Sequence, residues 1–383
     1  MNIYFHYKYF LLFIIIFHFT IFINFNKTNT INENLKEEIR KIKNYYELNN
    51  KGFLINKNIY KKSENPKVSI ISTIYNREKY ILRYLRSIQN QFLDDIEIIF
   101  IDDNSLDKSV KLIEKFQEKD KRIILIKQNK NKGTLISRNY GVLKSKGEYI
   151  ILPDSDDILS DNILNLCYNI SKENNFEMIR FNMFSDKQFI FSLINNNLKD
   201  IIYQPELSTF MIYGFGYLKL HDGIISNKFI KRTTYIKAIN NIKKFYLSQH
   251  MIYFEDGLIN FALYLNSKSL YLLKKIGYYY IFNENSVSRK LNMNLYLKNL
   301  FLFLKFVLEY TKNNKYEKNI IFHLLHEYII NIGILNNISN NFEIYEEFIN
   351  SLYNNEFINF RDKRKLKKMK YLLKKLKNEK KNK

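Results

Sequence analysis

Between Pro66 and Asp157 four short apolar runs alternate with three segments of helical period, and this alternation limits the possible folds more than any other feature of the chain. Val68–Ile74, Ile96–Ile101, Arg122–Ile126 and Glu148–Leu152 are rich in isoleucine and predict strands. Glu78–Gln91, Ser109–Glu118 and Thr134–Lys144 predict helices; in the first, Tyr80, Ile81, Tyr84, Leu85 and Ile88 recur at helical spacing. Strands separated by helices pair in parallel through right-handed crossovers. Strands with apolar residues at adjacent as well as alternate positions fit a sheet covered on both faces. The expected class is α/β: a Rossmann-like, mostly parallel sheet with flanking helices. Ligands of such sheets lie beyond the carboxyl ends of the strands.

Those ends are polar and mostly acidic. Tyr75-Asn76-Arg77-Glu78 follows the first strand, Asp102-Asp103-Asn104-Ser105 the second, and Pro153-Asp154-Ser155-Asp156-Asp157 the fourth. Neighbouring carboxylates raise one another's pKa unless a cation neutralises them. Hard oxygen donors suit Mg2+ or Mn2+, which in turn hold phosphates. An Asp after a strand also serves as a helix N-cap. That reading suits Asp107 and Asp161 and is open for Asp102 and Asp103. Three acids within Asp154–Asp157 exceed any capping need.

The same residues carry a family resemblance. VSIISTIYN (Val68–Asn76), IIFIDDNS (Ile98–Ser105), NKGTLISRNYG (Asn131–Gly141) and GEYIILPDSDD (Gly147–Asp157) resemble, in order and spacing, the N-terminal signatures of family 2 glycosyltransferases. NKFIKR (Asn227–Arg232), the pair Glu255–Asp256 and NENSVSR (Asn283–Arg289) resemble its later ones. The resemblance covers about Pro66 to Lys290. It implies a GT-A fold and an inverting transfer from a nucleotide sugar, most often a UDP-sugar, to a hydroxyl of a glycan, lipid or protein. Matched motif by motif, Thr73, Tyr75 and Glu78 would line the nucleotide pocket, and Asp102 or Asp103 would accept a hydrogen bond from the base. Arg138 would help to hold the nucleotide. Asp154 and Asp156 would form the D-x-D pair, with Asp156 on a Mn2+ or Mg2+ ion and Asp154 nearer the ribose. Asp256 would be the general base, supported by Glu255. By position alone, Glu255 and Asp256 could equally be the acidic start of a helix over Leu258–Leu265.

Two departures narrow the expectation. Processive members carry Q-x-x-R-W and several membrane spans; this chain has no Trp and one apolar run. Some members place a metal-binding His in the closing motif, where this sequence has Asn283; His221 and His250 are the alternatives. A nucleotidyltransferase also uses strand-end acids and Mg2+, but would place a Gly-rich loop where Tyr75–Glu78 stands. A non-catalytic binding protein on the same scaffold would not need Asp154, Asp156 and Asp256 intact.

Outside 66–290 the chain divides by composition. Tyr9–Phe25 is apolar except for His18, Thr20 and Asn24, long enough to reach across a bilayer core. Residues 1–26 are expected to be a signal-anchor, giving a single-pass membrane protein (in the Golgi or ER lumen if the source is eukaryotic); the alternative is secretion after signal-peptide cleavage. Residues 27–65 read as a stem and 291–360 as a helical extension. The tail 361–383 holds 13 Lys or Arg against two acids, nearly half of the net +23. Because so much charge lies in the tail, no nucleic-acid partner is expected; Leu366, Met369, Leu373 and Leu376 give that tail an amphipathic pattern that suits equally an anionic membrane or a solvated terminal helix. The single cysteine, Cys167, allows no intrachain disulfide and reads as a core residue.

Overall fold

The computed structural model describes residues 60–185, 200–203, 224–246, 251–281 and 292–311, with isolated positions near the C-terminus. All belong to the unit running from Ile59 to Lys383. The apolar run Tyr9–Phe25, most of the stem, His221, His250 and the motif Asn283–Arg289 lie outside the described residues. Among the described residues no helix is long and apolar enough to cross a membrane.

The strands are β1 (Val68–Ile74), β2 (Ile96–Asp102), β3 (Ile123–Lys127), β4 (Tyr149–Ile151), β5 (Ile158–Leu159), β6 (Met178–Ser185), β7 (Ile201–Tyr203), β8 (Lys228–Lys231) and β9 (Ser269–Tyr280). The helices are α1 (Ile81–Gln89), α2 (Ser109–Lys119), α3 (Thr134–Lys144), α4 (Ile163–Asn174), α5 (Arg232–Tyr246), α6 (Glu255–Asn266) and α7 (Met293–Thr311). The expected strands and helices up to β4 are present to within a few residues. The sheet order is β3-β2-β1-β4-β8-β6-β9-β5, with β7 also on β9. β1 to β4, β6 and β9 run one way; β5, β7 and β8 run the other. The sheet is thus mostly parallel, as expected, and its reversed strands fall in the half that the strand–helix alternation does not cover.

Alternation within each strand divides the core. Ile71, Ile99, Ile101 and Ile150 face a cluster completed by residues of α3, α5, α6 and α7. Val68, Ile70, Ile74, Ile98 and Phe100 face the other side, where α1, α2 and α4 supply Tyr84, Leu85, Ile113 and Leu164. Each such aliphatic side chain contributes about 1.5–3 kcal/mol on burial. Cys167 is buried in this second cluster, as expected, and burial pushes its thiol well above the usual range.

One close approach bears on function. A Cβ at Gly141 would stand 2.4 Å from Ile71 Cγ2 and 3.2 Å from Ile101 Cγ1. Glycine therefore lets α3 lie against β1 and β2, and this fixes the position of Arg138 one turn earlier.

Candidate active site

The loops after β1 and β2 are tied to each other. The backbone N–H of Asn76 donates to Ser105 Oγ (3.0 Å), that of Leu106 to Asn76 Oδ1 (2.8 Å) and that of Arg77 to Ser109 Oγ (2.7 Å). Asn76 and Asn104 both adopt positive φ, 52° and 69°, which asparagine tolerates better than other residues with a Cβ. Tyr75 is left 44% exposed at the rim. The Thr73 carbonyl accepts from Ser155 Oγ at 2.9 Å, which draws the D-x-D loop onto the end of β1. Glu78 turns toward the start of α2: its Oε2 accepts from the Lys108 N–H at 3.1 Å and its own N–H donates to Asp107 at 2.8 Å. Asp107 also accepts from the Ser109 N–H, so it serves the start of α2 as expected.

The two acids after β2 are used differently. Asp103 accepts from Gln128 Nε2 (3.1 Å) and from the N–H groups of Lys132 (2.8 Å) and Gly133 (2.9 Å). Gly133 has φ 87°, the left-handed region that its lack of a Cβ permits. Asp103 therefore secures the turn into α3. Asp102, beside it, accepts a long, shared bond from the Ser105 N–H (3.2 and 3.3 Å). Of this pair, Asp102 has the acceptor capacity left for a ligand.

Arg138 brings the remaining acids together. Its guanidinium is buried, donating from Nη1 to Asp256 Oδ1 at 2.5 Å and from Nη2 to Asp154 Oδ1 at 3.1 Å. The D-x-D loop and the start of α6 thereby meet on one side chain of α3. Asp256 also accepts from the Ile225 N–H at 3.4 Å, just before β8. Glu255 and Asp256 do begin α6, and the contact with Arg138 adds a role that a helix start does not require. Asp154 keeps an exposed edge, yet desolvation in the cleft, with Asp256 and Asp156 nearby, pushes its carboxyl up to about 6 against the pull of Arg138. Burial, then the charge of Asp256, pushes Glu255 up to about 8.

Asp156 and Asp157 part company. Asp156 lies 3.6 Å from Arg77 Nε, and its carbonyl accepts from Arg83 at 2.7 Å. Asp157 points into the protein, where it accepts from Tyr278 Oη (2.6 Å) and from the Ile281 N–H (2.8 Å); Tyr278 Oη in turn accepts from the Asp154 N–H at 3.0 Å. The third acid of the motif is a strut between the loop and β9. Arg77 and Tyr278 border the candidate site through Asp156 and the Asp154 N–H, and neither was given a role from the sequence. An arginine directly after Tyr75-Asn76 was a readable signal; Tyr278, 124 positions from Asp154, was not. Among the described residues no group of three His, Cys, Asp or Glu side chains is placed to hold a metal, and the candidate third ligands lie outside them.

Comparisons with known proteins bear on the family and the fold. Residues 69–238 match the model of Glycosyl transferase family 2. Over 246 residues, 57% of this chain and 96% of the relative, the chain is 26% identical to an uncharacterized glycosyltransferase of Haemophilus influenzae. It is 30% identical over 241 residues to the poly(ribitol-phosphate) beta-N-acetylglucosaminyltransferase TarP of Staphylococcus aureus, covering 60% of this chain and 66% of TarP. Several other relatives are longer, and the chain covers between 16% and 42% of them. Residues 1–349 of S. aureus TarS, solved with UDP-GlcNAc, share the fold with a TM-score of 0.59 at 19% identity over 74% of this chain and 80% of that one. The strand-end signatures, the sheet they terminate and these likenesses lead to one conclusion: the chain carries a glycosyl transferase family 2 domain and is a glycosyltransferase with a GT-A fold.

Proposed function

We propose that this glycosyltransferase moves a sugar, with inversion, from a UDP-sugar to a hydroxyl of a glycan, lipid or protein acceptor. The observation that carries the proposal is the meeting of Asp154 and Asp256 on Arg138: an acid of the donor loop and the candidate base border one cleft at the carboxyl edge of the sheet. Support for the donor class comes from TarS, which was solved with UDP-GlcNAc.

In this reading Asp102 accepts from the base and Tyr75 borders the nucleotide. Asp256 takes the proton of the acceptor hydroxyl. The oxygen then forms its bond to the anomeric carbon as the bond from that carbon to the diphosphate oxygen breaks, and the electron pair leaves with the nucleoside diphosphate. Arg77 and Arg138 lie where they can face the departing charge. Glu255, protonated over most of the neutral range by its burial, adds no second negative charge beside the base.

The donor set fits a divalent cation. Asp154 and Asp156 are hard oxygen donors of the kind a divalent cation prefers, and they stand in a desolvated cleft whose burial, with Asp256 and Asp156 nearby, raises the Asp154 carboxyl. Asp156 and Asp154 would hold a Mn2+ or Mg2+ ion, which would supply positive charge to offset the negative charge of the departing diphosphate. The test is a hydrolysis screen of nucleotide sugars, UDP-sugars foremost, on residues 27–383 with Mn2+ or Mg2+. Release of UDP from at least one UDP-sugar is expected; turnover confined to other nucleotides would refute the donor assignment.

A further inference from the structure

We infer that α7, the helix that follows the GT-A sheet, positions the catalytic base, and that it does so through Phe254. The inference rests on the reading of Asp256 as that base. Phe254 precedes Glu255 and Asp256 and adopts φ 64°, ψ 9°. Among the described residues every other non-glycine position with positive φ is an asparagine: Asn76, Asn104 and Asn175. Asparagine reaches this region by bonding locally with its short polar side chain, whereas a bulky aromatic there is an outlier. A phenylalanine at this position calls for something to hold it.

What holds it is α7. The Phe254 ring stacks on Phe303, with centroids 6.0 Å apart and planes 14° apart, and leans on Tyr296 at 4.9 Å. Asn299 Oδ1 accepts from the N–H groups of Ile252 (2.9 Å) and Tyr253 (3.1 Å), and Tyr253 Oη accepts from the Asn292 N–H at 2.9 Å. The Phe254 carbonyl accepts from the Leu258 N–H at 2.9 Å, so its backbone sets the first turn of α6. A Cβ on Gly257 would lie 3.7 Å from the Phe303 ring. The residues on both sides of the Glu255–Asp256 pair therefore rest on one aromatic side chain of α7. Shifting that turn moves the Asp256 carboxylate relative to the donor loop, and small misplacements of a reacting group cost rate steeply. Phe254, Tyr296 and Phe303 are on this account positioning residues.

The experiment uses the full chain in detergent with variants Phe254→Gly, Tyr296→Ala, the double variant and Asp256→Asn. Glycine accepts positive φ without strain, so Phe254→Gly removes the ring and leaves the backbone geometry accessible. The readouts are UDP affinity with Mn2+ by calorimetry, and kcat and KM for hydrolysis of whichever UDP-sugar turns over fastest. Each single variant is expected to lose about 10- to 100-fold in kcat, with donor KM and UDP affinity within about twofold of wild type. The double variant is expected to be no worse than the weaker single one, because both remove the same contact. A Phe254→Gly enzyme with wild-type kcat, losses that multiply in the double variant, or a parallel collapse of UDP affinity would each overturn the inference. Asp256→Asn separates the two readings: if it keeps full turnover, the base assignment fails and the positioning role with it. If it loses turnover while Phe254→Gly does not, only the role of α7 fails.

Discussion

Arg138 Nη1 lies 2.5 Å from Asp256 Oδ1, so the residue proposed as base is ion-paired to the helix that also supports the donor loop. The resemblance placed Arg138 on the nucleotide and Asp256 on the acceptor. In the structure the same guanidinium also reaches Asp154, through its second nitrogen, at 3.1 Å. The side chains proposed for donor and acceptor are therefore joined at a single guanidinium.

Arg138→Lys tests that joint. An ammonium is a compact charge without the planar fork that reaches two carboxylates in fixed directions. One of Asp154 and Asp256 is left without its partner in the cleft. A fall in kcat/KM of about 10- to 100-fold is expected, equivalent to about 1.4–2.8 kcal/mol. Steady-state kinetics on the preferred nucleotide sugar measure it; a change within twofold would show that the fork is dispensable.

Metal removal tests the D-x-D pair. EDTA should abolish turnover, and Mn2+ or Mg2+ should restore it. Asp156→Asn should weaken UDP binding in the presence of Mn2+, because the diphosphate loses its bridging cation. Wild-type turnover in the presence of excess EDTA would end the metal-dependent reading.

Glu255 gives a pH dependence of stability in metal-free protein. Unfolded, its carboxyl loses the proton near the ordinary 4.5; folded, burial and Asp256 hold that proton until about 8. Between those values the folded state binds the extra proton. The contribution of Glu255 is thus fully present below about 4.5 and is lost as pH rises toward about 8. Glu255→Gln should flatten the decline of melting temperature across that window, as read by thermal denaturation at a series of pH values. An unchanged slope would show that the carboxyl titrates normally.

The apolar run Tyr9–Phe25 carries the proposal that the chain is membrane-tethered. Full-length protein should resist carbonate extraction, and deletion of residues 1–26 should release it. A mature protein beginning near Lys27 would make the segment a cleaved signal peptide.

The first half of the sheet was legible because each strand there is a short isoleucine-rich run and each crossover a helix with an apolar face. Val68–Ile74 and Thr134–Lys144 emerge with the expected boundaries. The second half was not read, because its strands pair across long separations and three of them, β5, β7 and β8, run against the rest. β8 lies between β4 and β6, and no local period announces that. Site residues followed the same division. Asp102, Asp103, Asp154 and Asp156 stand out as candidates in the sequence because strand ends are where such sheets bind ligands. The separate uses of Asp103, Asp157 and Glu78 depend on Lys132, Tyr278 and Lys108, partners that only tertiary packing brings near. Phe254 could not be recognised as strained from its identity, since the strain lies in a backbone angle.

Asp256→Asn is the most direct test of the central claim that Asp256 is the base of a glycosyl transfer. The amide is nearly isosteric but a far weaker base, and losing a general base typically costs on the order of 100- to 10,000-fold in rate. The measurement is a pair: turnover of the preferred nucleotide sugar, and calorimetric affinity for UDP with Mn2+. Removing a negative charge beside Arg138 leaves the cleft more positive, so UDP should bind as tightly as to wild type or more tightly. A loss of turnover on that scale with undiminished UDP affinity is the predicted result. Turnover within a few-fold of wild type would contradict the account, making Asp256 the acidic start of α6 and Glu255 the next candidate for the base.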